Sequence, residues 1–178
     1  MQWDSKYTRV TEVLAPFSGL NHIDPRILKH AGERGERVHL ACNAIIDKLD
    51  YIIDPETEGY VESFHRWMEQ EIRMFLPSPK RMFCDDYLIT GEADRIYLPD
   101  GNFKDLTLVD FKTSAKESKT WGLQGSAYSY LYKKNGYDIT NILFVKLDKR
   151  GKAPSIFCYE ENFKMFLKCL DVYRYFHK

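Results

Sequence analysis

The spacing of apolar residues changes near residue 80, and this change limits the folds that the chain can adopt. Before it, long stretches carry apolar residues at helical spacing, whereas the segments after it are rich in β-forming residues and alternate with helical ones. The predicted order is helices, a β-hairpin, a helix, a second β-hairpin and a last helix. We therefore predict an α/β fold in which helices flank a mixed central β-sheet.

The helical first part has a clear start and two interruptions. Asp24 followed by Pro25 is typical of an N-cap with proline at the first helical position. Gly32 and Gly35 interrupt the helical pattern that follows, so we expect a break or two consecutive helices there. Residues 60–76 resume the helical spacing and predict another helix, which the "PSPK" segment ends.

The later elements are predicted from β-forming residues and turn signals. Residues 81–98 and 106–114 are expected to form the first hairpin, with its turn at 99–105. The remaining elements are expected to be a helix over 120–136 with Gly136 as its C-cap, strands over 139–148 and 153–160, and a helix over 161–178.

Length and composition narrow the class of protein. The 178 residues suit one domain, 1–178, with a helical N-terminal part of about 1–80 and a core of about 81–160. Hydrophobic residues make up 44% of the chain, which excludes a disordered protein. No stretch of about 18 uncharged apolar residues occurs, and the opening lacks the apolar run of a signal peptide, so we expect a cytoplasmic protein without a membrane span. The four cysteines are far apart, which argues against a zinc knuckle, an iron–sulfur clamp or a disulfide framework.

The charge is balanced overall but uneven along the chain. A net charge of zero does not by itself suggest a nucleic-acid-binding protein. Residues 104–152, however, carry ten basic residues against five acidic ones, so a polyanion would meet the chain there. An ordinary solvated face is an equally good interpretation. The run "KLDKRGK" is predicted as a hairpin turn, with phosphate contacts as the alternative.

The segment "VDFKTS" at residues 109–114 holds the most informative chemistry. Side chains two apart on a strand share a face, so Asp110 and Lys112 lie together while Phe111 turns into the core. Asp94 ends the preceding strand, and hairpin pairing would bring its carboxylate towards Asp110. Two close carboxylates repel each other unless a cation such as Mg²⁺ lies between them. The cation would polarise a phosphodiester oxygen, and Lys112 would orient a water molecule or stabilise charge on the phosphate.

Three further residues extend this candidate site. Gln124 and Tyr128 are four residues apart on the next helix and therefore lie on one of its faces. His39 lies early in a helix, where its imidazole is a candidate metal ligand, or else a half-buried structural histidine. By itself, Asp-x-Lys is a weak signal, and a solvent-facing hairpin strand is the plain alternative.

Taken in order, these motifs resemble the RecB-like branch of the PD-(D/E)XK nucleases. The resemblance covers roughly residues 8 to 160 and rests on four pairs: Gly35 and His39, Gly91 and Asp94, Asp110 and Lys112, Gln124 and Tyr128. Ala93 stands where the proline that names the superfamily would be. The iron–sulfur clamp of many relatives is absent, and there is no helicase portion. The resemblance therefore favours a small stand-alone nuclease of the kind found in phages and mobile elements.

The resemblance implies a restriction-endonuclease-like core and a role for each motif residue. The implied Mg²⁺ or Mn²⁺ ligands are His39, Asp94, Asp110 and the backbone carbonyl of Phe111. The other implied catalytic residues are Lys112 as the catalytic lysine, and Gln124 and Tyr128, which would position the DNA strand and the site. Thr113 and Ser114 would donate to a phosphate. Trp121, at the start of its helix, is a candidate DNA contact.

We therefore expect a metal-dependent exonuclease that acts on linear DNA from a free end, in recombination, repair or phage DNA processing. A structure-specific or restriction-like endonuclease is an alternative, because this fold serves both activities. A DNA-binding subunit without turnover is another. The polarity, strand preference, use of RNA, number of metal ions, and any homo-oligomer or recombination-protein partner stay open. The expected location is the cytoplasm of a bacterial or phage-infected cell.

Overall fold

The computed structural model describes residues 6–71, 73–78, 80–99 and 105–177. Five helices and eight strands lie within these ranges, together with a short 3-10 turn at Ala15–Phe17. The helices are α1 Val10–Leu14, α2 Pro25–Asp47, α3 Glu58–Met68, α4 Trp121–Lys134 and α5 Phe163–Phe176. The strands are β1 Thr8–Arg9, β2 Arg73–Phe75, β3 Met82–Cys84, β4 Ile89–Gly91, β5 Arg95–Pro99, β6 Leu106–Lys112, β7 Ile139–Lys146 and β8 Ser155–Tyr159.

The predicted mixed central sheet is confirmed. Five strands pair in the order β2-β5-β6-β7-β8, where β6 and β7 are parallel and all other neighbours are antiparallel. The parallel pair is joined through α4, since parallel neighbours need a crossover connection. A second sheet of three strands, in the order β1-β4-β3, was not foreseen as a separate unit.

Helices cover both faces of the central sheet. On one face, Phe111 packs with Phe64 and Trp67 of α3, and Val38 of α2 belongs to the same buried cluster. On the other face, Leu108 shares a buried cluster with residues of α4 and α5. Because strand side chains alternate, consecutive residues of β6 belong to the two opposite layers. This alternation decides which side chains of β6 can share a site.

Helix α2 is continuous over 23 residues, so the expected break at Gly32 and Gly35 is wrong. A glycine keeps its backbone hydrogen bonds in a helix and costs only about 1 kcal/mol relative to alanine. Packing of Val38 on the sheet, together with the contacts of Arg95 with the last turns of α2, offsets that cost. A Cβ atom at Gly35 would lie 3.3 Å from Thr113 Oγ1, so the glycine allows a close approach.

The predicted helix over 60–76 is also wrong in its second half. α3 ends at Met68, and Arg73–Phe75 forms the edge strand β2, antiparallel to β5. Phe75 pairs with Tyr97 and contacts Trp67, so its burial comes from the sheet and not from a helical face. Residue 72, which belonged to the predicted apolar spacing, lies outside the described residues.

The first predicted β segment, 81–98, divides into β3, β4 and β5, and only β5 joins the central sheet. The hairpin pairing of β5 with β6 is confirmed, but most of its turn, residues 100–104, lies outside the described residues. The later helices and strands are confirmed. Gly136 follows the C-cap Asn135 with φ of +91°, the left-handed conformation expected of a glycine after a helix. None of the described helices combines the length and apolarity needed to cross a bilayer.

Candidate active site

Strand β6 presents Asp110 and Lys112 on the same face. Lys112 Nζ lies 2.5 Å from Asp110 Oδ1, and the Asp110 side chain is only 5% exposed. Between them, Phe111 points into the layer formed with α3 and is fully buried. The ion pair is therefore fixed by the pleat of the strand and by the anchoring of Phe111 on the opposite face.

Asp94 is held beside this pair by two contacts from different elements. It lies directly before β5, and its Oδ2 accepts a hydrogen bond of 2.6 Å from the backbone N–H of Phe111. Its Oδ1 lies 2.9 Å from Nδ1 of His39, which comes from α2. The β5–β6 hairpin and α2 thus bring His39, Asp94 and Asp110 to one place.

Gln124 of α4 connects the acid and the lysine of β6. Its Oε1 accepts a hydrogen bond of 3.1 Å from Lys112 Nζ, and its Nε2 lies 3.3 Å from Asp110 Oδ2. The same Nε2 donates to the hydroxyl of Tyr128 at 3.1 Å, as expected for residues one helical turn apart. A side-chain amide serves both partners because its oxygen accepts and its nitrogen donates.

The buried charges shift one another's pKa values. Burial, helped by the negative charge of Asp94, raises the pKa of Asp110 to about 6, against the opposing effect of Lys112. Burial also acts to raise the pKa of Asp94, but the charge and hydrogen bond of His39, with the Phe111 N–H, lower it below its ordinary value. For His39, the attraction of Asp94 outweighs burial and raises the pKa. Burial and the charge of Asp110 raise the pKa of Tyr128.

Asp110 carries an oxygen atom that suits a cation. Its Oδ1 is buried and lies 2.5 Å from the ammonium of Lys112. Burial penalises the ionised carboxylate, and the pKa of about 6 shows that the attraction of Lys112 does not fully offset that penalty. A hard divalent cation would satisfy such an oxygen.

The donor set fits a divalent metal ion without forming a complete site. Within the described ranges, no group of three or more His, Cys, Asp and Glu side chains has the arrangement of a metal site. Asp94, Asp110 and His39 together would still offer two carboxylates and one imidazole, which suit Mg²⁺ or Mn²⁺. Their assignment as ligands, with the carbonyl of Phe111, stays a prediction.

A cleft of about 740 Å³ opens over these residues. His39, Asp94 and Lys112 line it, so the buried charges reach solvent on this side. Its walls come from α2, from the segment before β3, from the β4–β5 connection and from the end of β6. A ligand in the cleft can reach Lys112 directly, because its side chain is 18% exposed, whereas that of Asp110 is only 5% exposed.

The three candidate nucleic-acid contacts, Thr113, Ser114 and Trp121, also line the cleft, but they differ in burial and in hydrogen bonding. The hydroxyl of Ser114 donates to the carbonyl of Lys116 at 2.9 Å, and the carbonyl of Thr113 accepts from the Tyr60 hydroxyl at 3.3 Å. Trp121 is buried and stacks on a core phenylalanine, so only a small part of its ring faces the cleft. Their roles in binding stay predictions.

One important residue was missed in the sequence. Arg95 is completely buried and reaches α2, where it donates to the side chain and carbonyl of Asn43 and to Asp47. It thereby fixes the helix that carries His39 against the strand that follows Asp94. A signal exists, since His39, Asn43 and Asp47 are spaced four apart and form one polar stripe on α2.

The wall of the cleft holds a second pair that the sequence did not reveal. Arg81 and Glu92 lie 3.3 Å apart and directly flank the paired residues Met82 and Gly91 of the β3–β4 hairpin. The register of that hairpin brings them together at the cleft.

Comparisons with known proteins agree with this arrangement. A sequence model described as the PD-(D/E)XK nuclease superfamily matches residues 22–162, which contain all the site residues discussed above. No curated protein matches the chain significantly. A solved structure described as "Crystal structure of SSO0001" is 13% identical, with a TM-score of 0.47, and the match covers 99% of this chain and 79% of that chain. A likeness this weak does not define the fold.

Proposed function

The chain belongs to the PD-(D/E)XK nuclease superfamily, and on that basis we propose that it is a Mg²⁺- or Mn²⁺-dependent DNA exonuclease of the RecB-like branch. The main support for the proposal is the set of Asp94, Asp110, Lys112 and Gln124, which we call the joined set. Asp110 and Lys112 share a face and are connected through Gln124, while Asp94 is held beside them by the Phe111 N–H and by His39.

Each residue of this set has a defined task in phosphodiester hydrolysis. A divalent cation, when bound, polarises a phosphodiester oxygen and lowers the pKa of a water molecule. Asp94 and Asp110 supply the negative charge that attracts such a cation, and burial strengthens that attraction. Lys112 lines the cleft and can donate to a phosphate oxygen, so its ammonium stabilises the charge that develops in the transition state.

Gln124 and Tyr128 act on this set by positioning it. Gln124 holds the ammonium of Lys112 through its Oε1, which limits the rotamers of a long and flexible side chain. Tyr128 is 4% exposed and fixes the amide of Gln124 from the far side. The raised pKa of Tyr128 keeps its hydroxyl protonated at neutral pH.

The exonuclease assignment rests on the order of motifs and on His39. The resemblance to the RecB-like branch includes a histidine four residues after a glycine, and His39 meets Asp94 at 2.9 Å. The same geometry is compatible with an endonuclease, which differs in how the substrate enters and not in the bond that is cut.

Cleavage of linear and closed DNA tests the proposal. Purified protein is incubated with Mg²⁺, Mn²⁺ or EDTA and with end-labelled linear single- and double-stranded DNA, and separately with a closed circle. Lys112→Ala is the test variant, and Lys164→Ala, which replaces an exposed lysine of α5, is its matched control.

Each outcome has one meaning. Metal-dependent loss of linear DNA alone, absent in Lys112→Ala and retained in Lys164→Ala, supports an exonuclease, and the fate of the label gives its polarity. Cutting of the circle indicates an endonuclease. DNA binding without any product points to a binding subunit. A Lys112→Ala variant that cuts as fast as the parent contradicts the proposed site.

A further inference from the structure

A second, smaller cavity of about 360 Å³ lies beside the cleft, and Thr113 and Ser114 line both. We call it the basic cavity, because four basic residues, Arg34, Lys146, Lys149 and Arg150, are among those that line it. Arg34 comes from α2, and the other three come from the end of β7 and the turn that follows it. The cavity therefore begins where the strand that carries Lys112 ends.

The charges in the basic cavity are not balanced. Its one lining carboxylate, Asp148, is already engaged by Arg150, with contacts of 3.2 and 3.0 Å to its two oxygens. These hydrogen bonds lower the pKa of Asp148 to about 2, so it is ionised at neutral pH and stays paired with Arg150. Within the described part of the chain, Arg34, Lys146 and Lys149 form no ion pair. The excess of positive charge favours an anion at this place.

Arg34 supplies a donor that points to the same conclusion. Its guanidinium lies 5.5 Å from the ring centroid of Tyr60, a cation–π contact that limits its orientation. Its Nε is buried, and no acceptor among the described residues receives its N–H. Tyr60 in turn donates to the Thr113 carbonyl, which links this arginine to the residue after Lys112. The terminal nitrogens of this guanidinium have no hydrogen bond or ion pair among the described residues, and they are the groups suited to bind a phosphate oxygen in the cavity.

The turn that carries Lys149 and Arg150 is held in place. The backbone N–H of Leu147 donates to the carbonyl of Lys112 at 2.9 Å, so the turn starts at a fixed distance from the lysine. On its other side, the turn packs against the start of α3, where a Cβ atom at Gly59 would meet the Lys149 carbonyl at 2.0 Å. A turn fixed on both sides binds a ligand at a lower cost in entropy than a free loop.

We propose that the basic cavity binds a phosphate group of the substrate strand, next to the phosphate at which Lys112 acts. Arg34 and Lys149 are its main ligands, and Thr113 and Ser114 lie between the two phosphates. This inference rests on the proposed function for the identity of the strand. It adds a contact to the substrate strand beside the cleaved bond, and the residues that make this contact, Arg34 and Lys149, lie outside the four motif pairs. The bound group is either an internal phosphodiester or a terminal phosphate.

The test measures binding separately from cleavage. Labelled oligonucleotides are titrated with Lys112→Ala protein in Mg²⁺, and the dissociation constant is followed by fluorescence anisotropy over a range of salt concentrations. Arg34→Met and Lys149→Gln are added to this background. Arg26→Met is the matched control, because Arg26 lies on the same helix, pairs with Asp24 and is 92% exposed. Arg34→Met keeps a side chain that can pack on Tyr60.

We expect Arg34→Met to weaken binding about tenfold and to reduce the slope of log K against log salt by about one. Lys149→Gln should act in the same direction, and Arg26→Met should change neither quantity. Lys149 is exposed, so its variant keeps the test decisive if Arg34→Met fails to fold. Unchanged affinity in both test variants overturns the proposal, as does the absence of any binding in the background protein.

The ends of the oligonucleotides distinguish the two sources of phosphate. A loss of affinity that is equal for a circular single strand and for linear strands identifies an internal phosphodiester. A loss confined to strands with a 5′- or 3′-phosphate identifies a terminal one. Cleavage by the parent is measured in parallel. Arg34-dependent binding without cleavage retains the basic cavity and removes the proposed nuclease, whereas cleavage with Arg34-independent binding does the reverse.

Discussion

Replacing Asp110 with asparagine should stabilise the metal-free protein at neutral and alkaline pH. Asp110 is buried beside the negative charge of Asp94, and its pKa rises from the ordinary 3.8 to about 6 despite the neighbouring ammonium of Lys112. The folded state therefore binds a proton on Asp110 more tightly than the unfolded state does. Its contribution to stability is fully present below about pH 4 and is lost as the pH rises through about 6.

The size of the effect follows from the two pKa values. The difference between 3.8 and about 6 corresponds to about 3 kcal/mol in the free energy of unfolding above pH 6. This is an upper limit for Asp110→Asn, because the side-chain NH₂ of asparagine is a donor that has to fit beside the ammonium of Lys112, which is also a donor. Lys112 keeps its contact with Gln124, so its charge is not left without a partner. We expect a gain of about 1–3 kcal/mol at pH 8 and almost none at pH 4.

Urea unfolding in EDTA at several pH values measures this difference. Asp171→Asn, at an exposed position of α5, is the control and should leave the pH dependence of the parent unchanged. An Asp110→Asn variant that is less stable than the parent at pH 8, or that gains equally at pH 4 and pH 8, would contradict a buried charge on Asp110 as the cause. The gain is expected to come with a complete loss of cleavage, since the charge that destabilises the fold is the one proposed to attract the metal ion.

Mg²⁺ should raise the melting temperature of the parent more at pH 8 than at pH 5, because protonation of Asp110 competes with the cation. Scanning fluorimetry checks this, and an equal rise at both pH values contradicts it. Arg95→Met should lower the free energy of unfolding by about 2–4 kcal/mol, because it removes the four hydrogen bonds that Arg95 donates to Asn43 and Asp47. Urea titration checks this, and an unchanged midpoint contradicts it. Gly32→Ala should raise the free energy of unfolding by up to about 1 kcal/mol, since a Cβ atom there meets nothing within 4 Å. Gly59→Ala should lower it by more than about 1 kcal/mol, because the new Cβ atom clashes with a backbone carbonyl. Melting temperatures equal to that of the parent would refute both.

The site could be predicted where its parts are close in sequence. Asp110 and Lys112 share a face because the strand period is two, and the short β5–β6 connection brings Asp94 to them. Helix α4 follows β6 along the chain, so the helix face with Gln124 and Tyr128 was expected to lie next to Asp110 and Lys112. His39 comes from a distant helix. Its residue type made it a candidate ligand, but no local spacing placed it next to the acids, and the resemblance to a known family supported that position.

Tertiary contacts decided the parts that the sequence did not reveal. Gly35 looked like a helix breaker, but α2 stays continuous because it is packed against the sheet and tied to Arg95. Phe75 fits a helical spacing with Trp67, yet pairing with β5 makes it part of a strand. The basic cavity combines residues from α2, α3, the segment after β6 and the turn after β7. The sequence offered the "KLDKRGK" run, Thr113 and Ser114 as phosphate contacts, but nothing in it indicated that they meet Arg34.

The cleavage rate of Lys112→Ala tests the central claim most directly. End-labelled linear DNA is incubated with Mg²⁺ and an excess of protein, so that the rate reports the chemical step, and Lys164→Ala serves as the control. The joined set of Asp94, Asp110, Lys112 and Gln124 predicts metal-dependent cleavage by the parent and a loss of about 10²-fold or more in the variant. A variant that cuts at the parent's rate would show that the strand carrying this lysine is not where phosphodiester hydrolysis takes place.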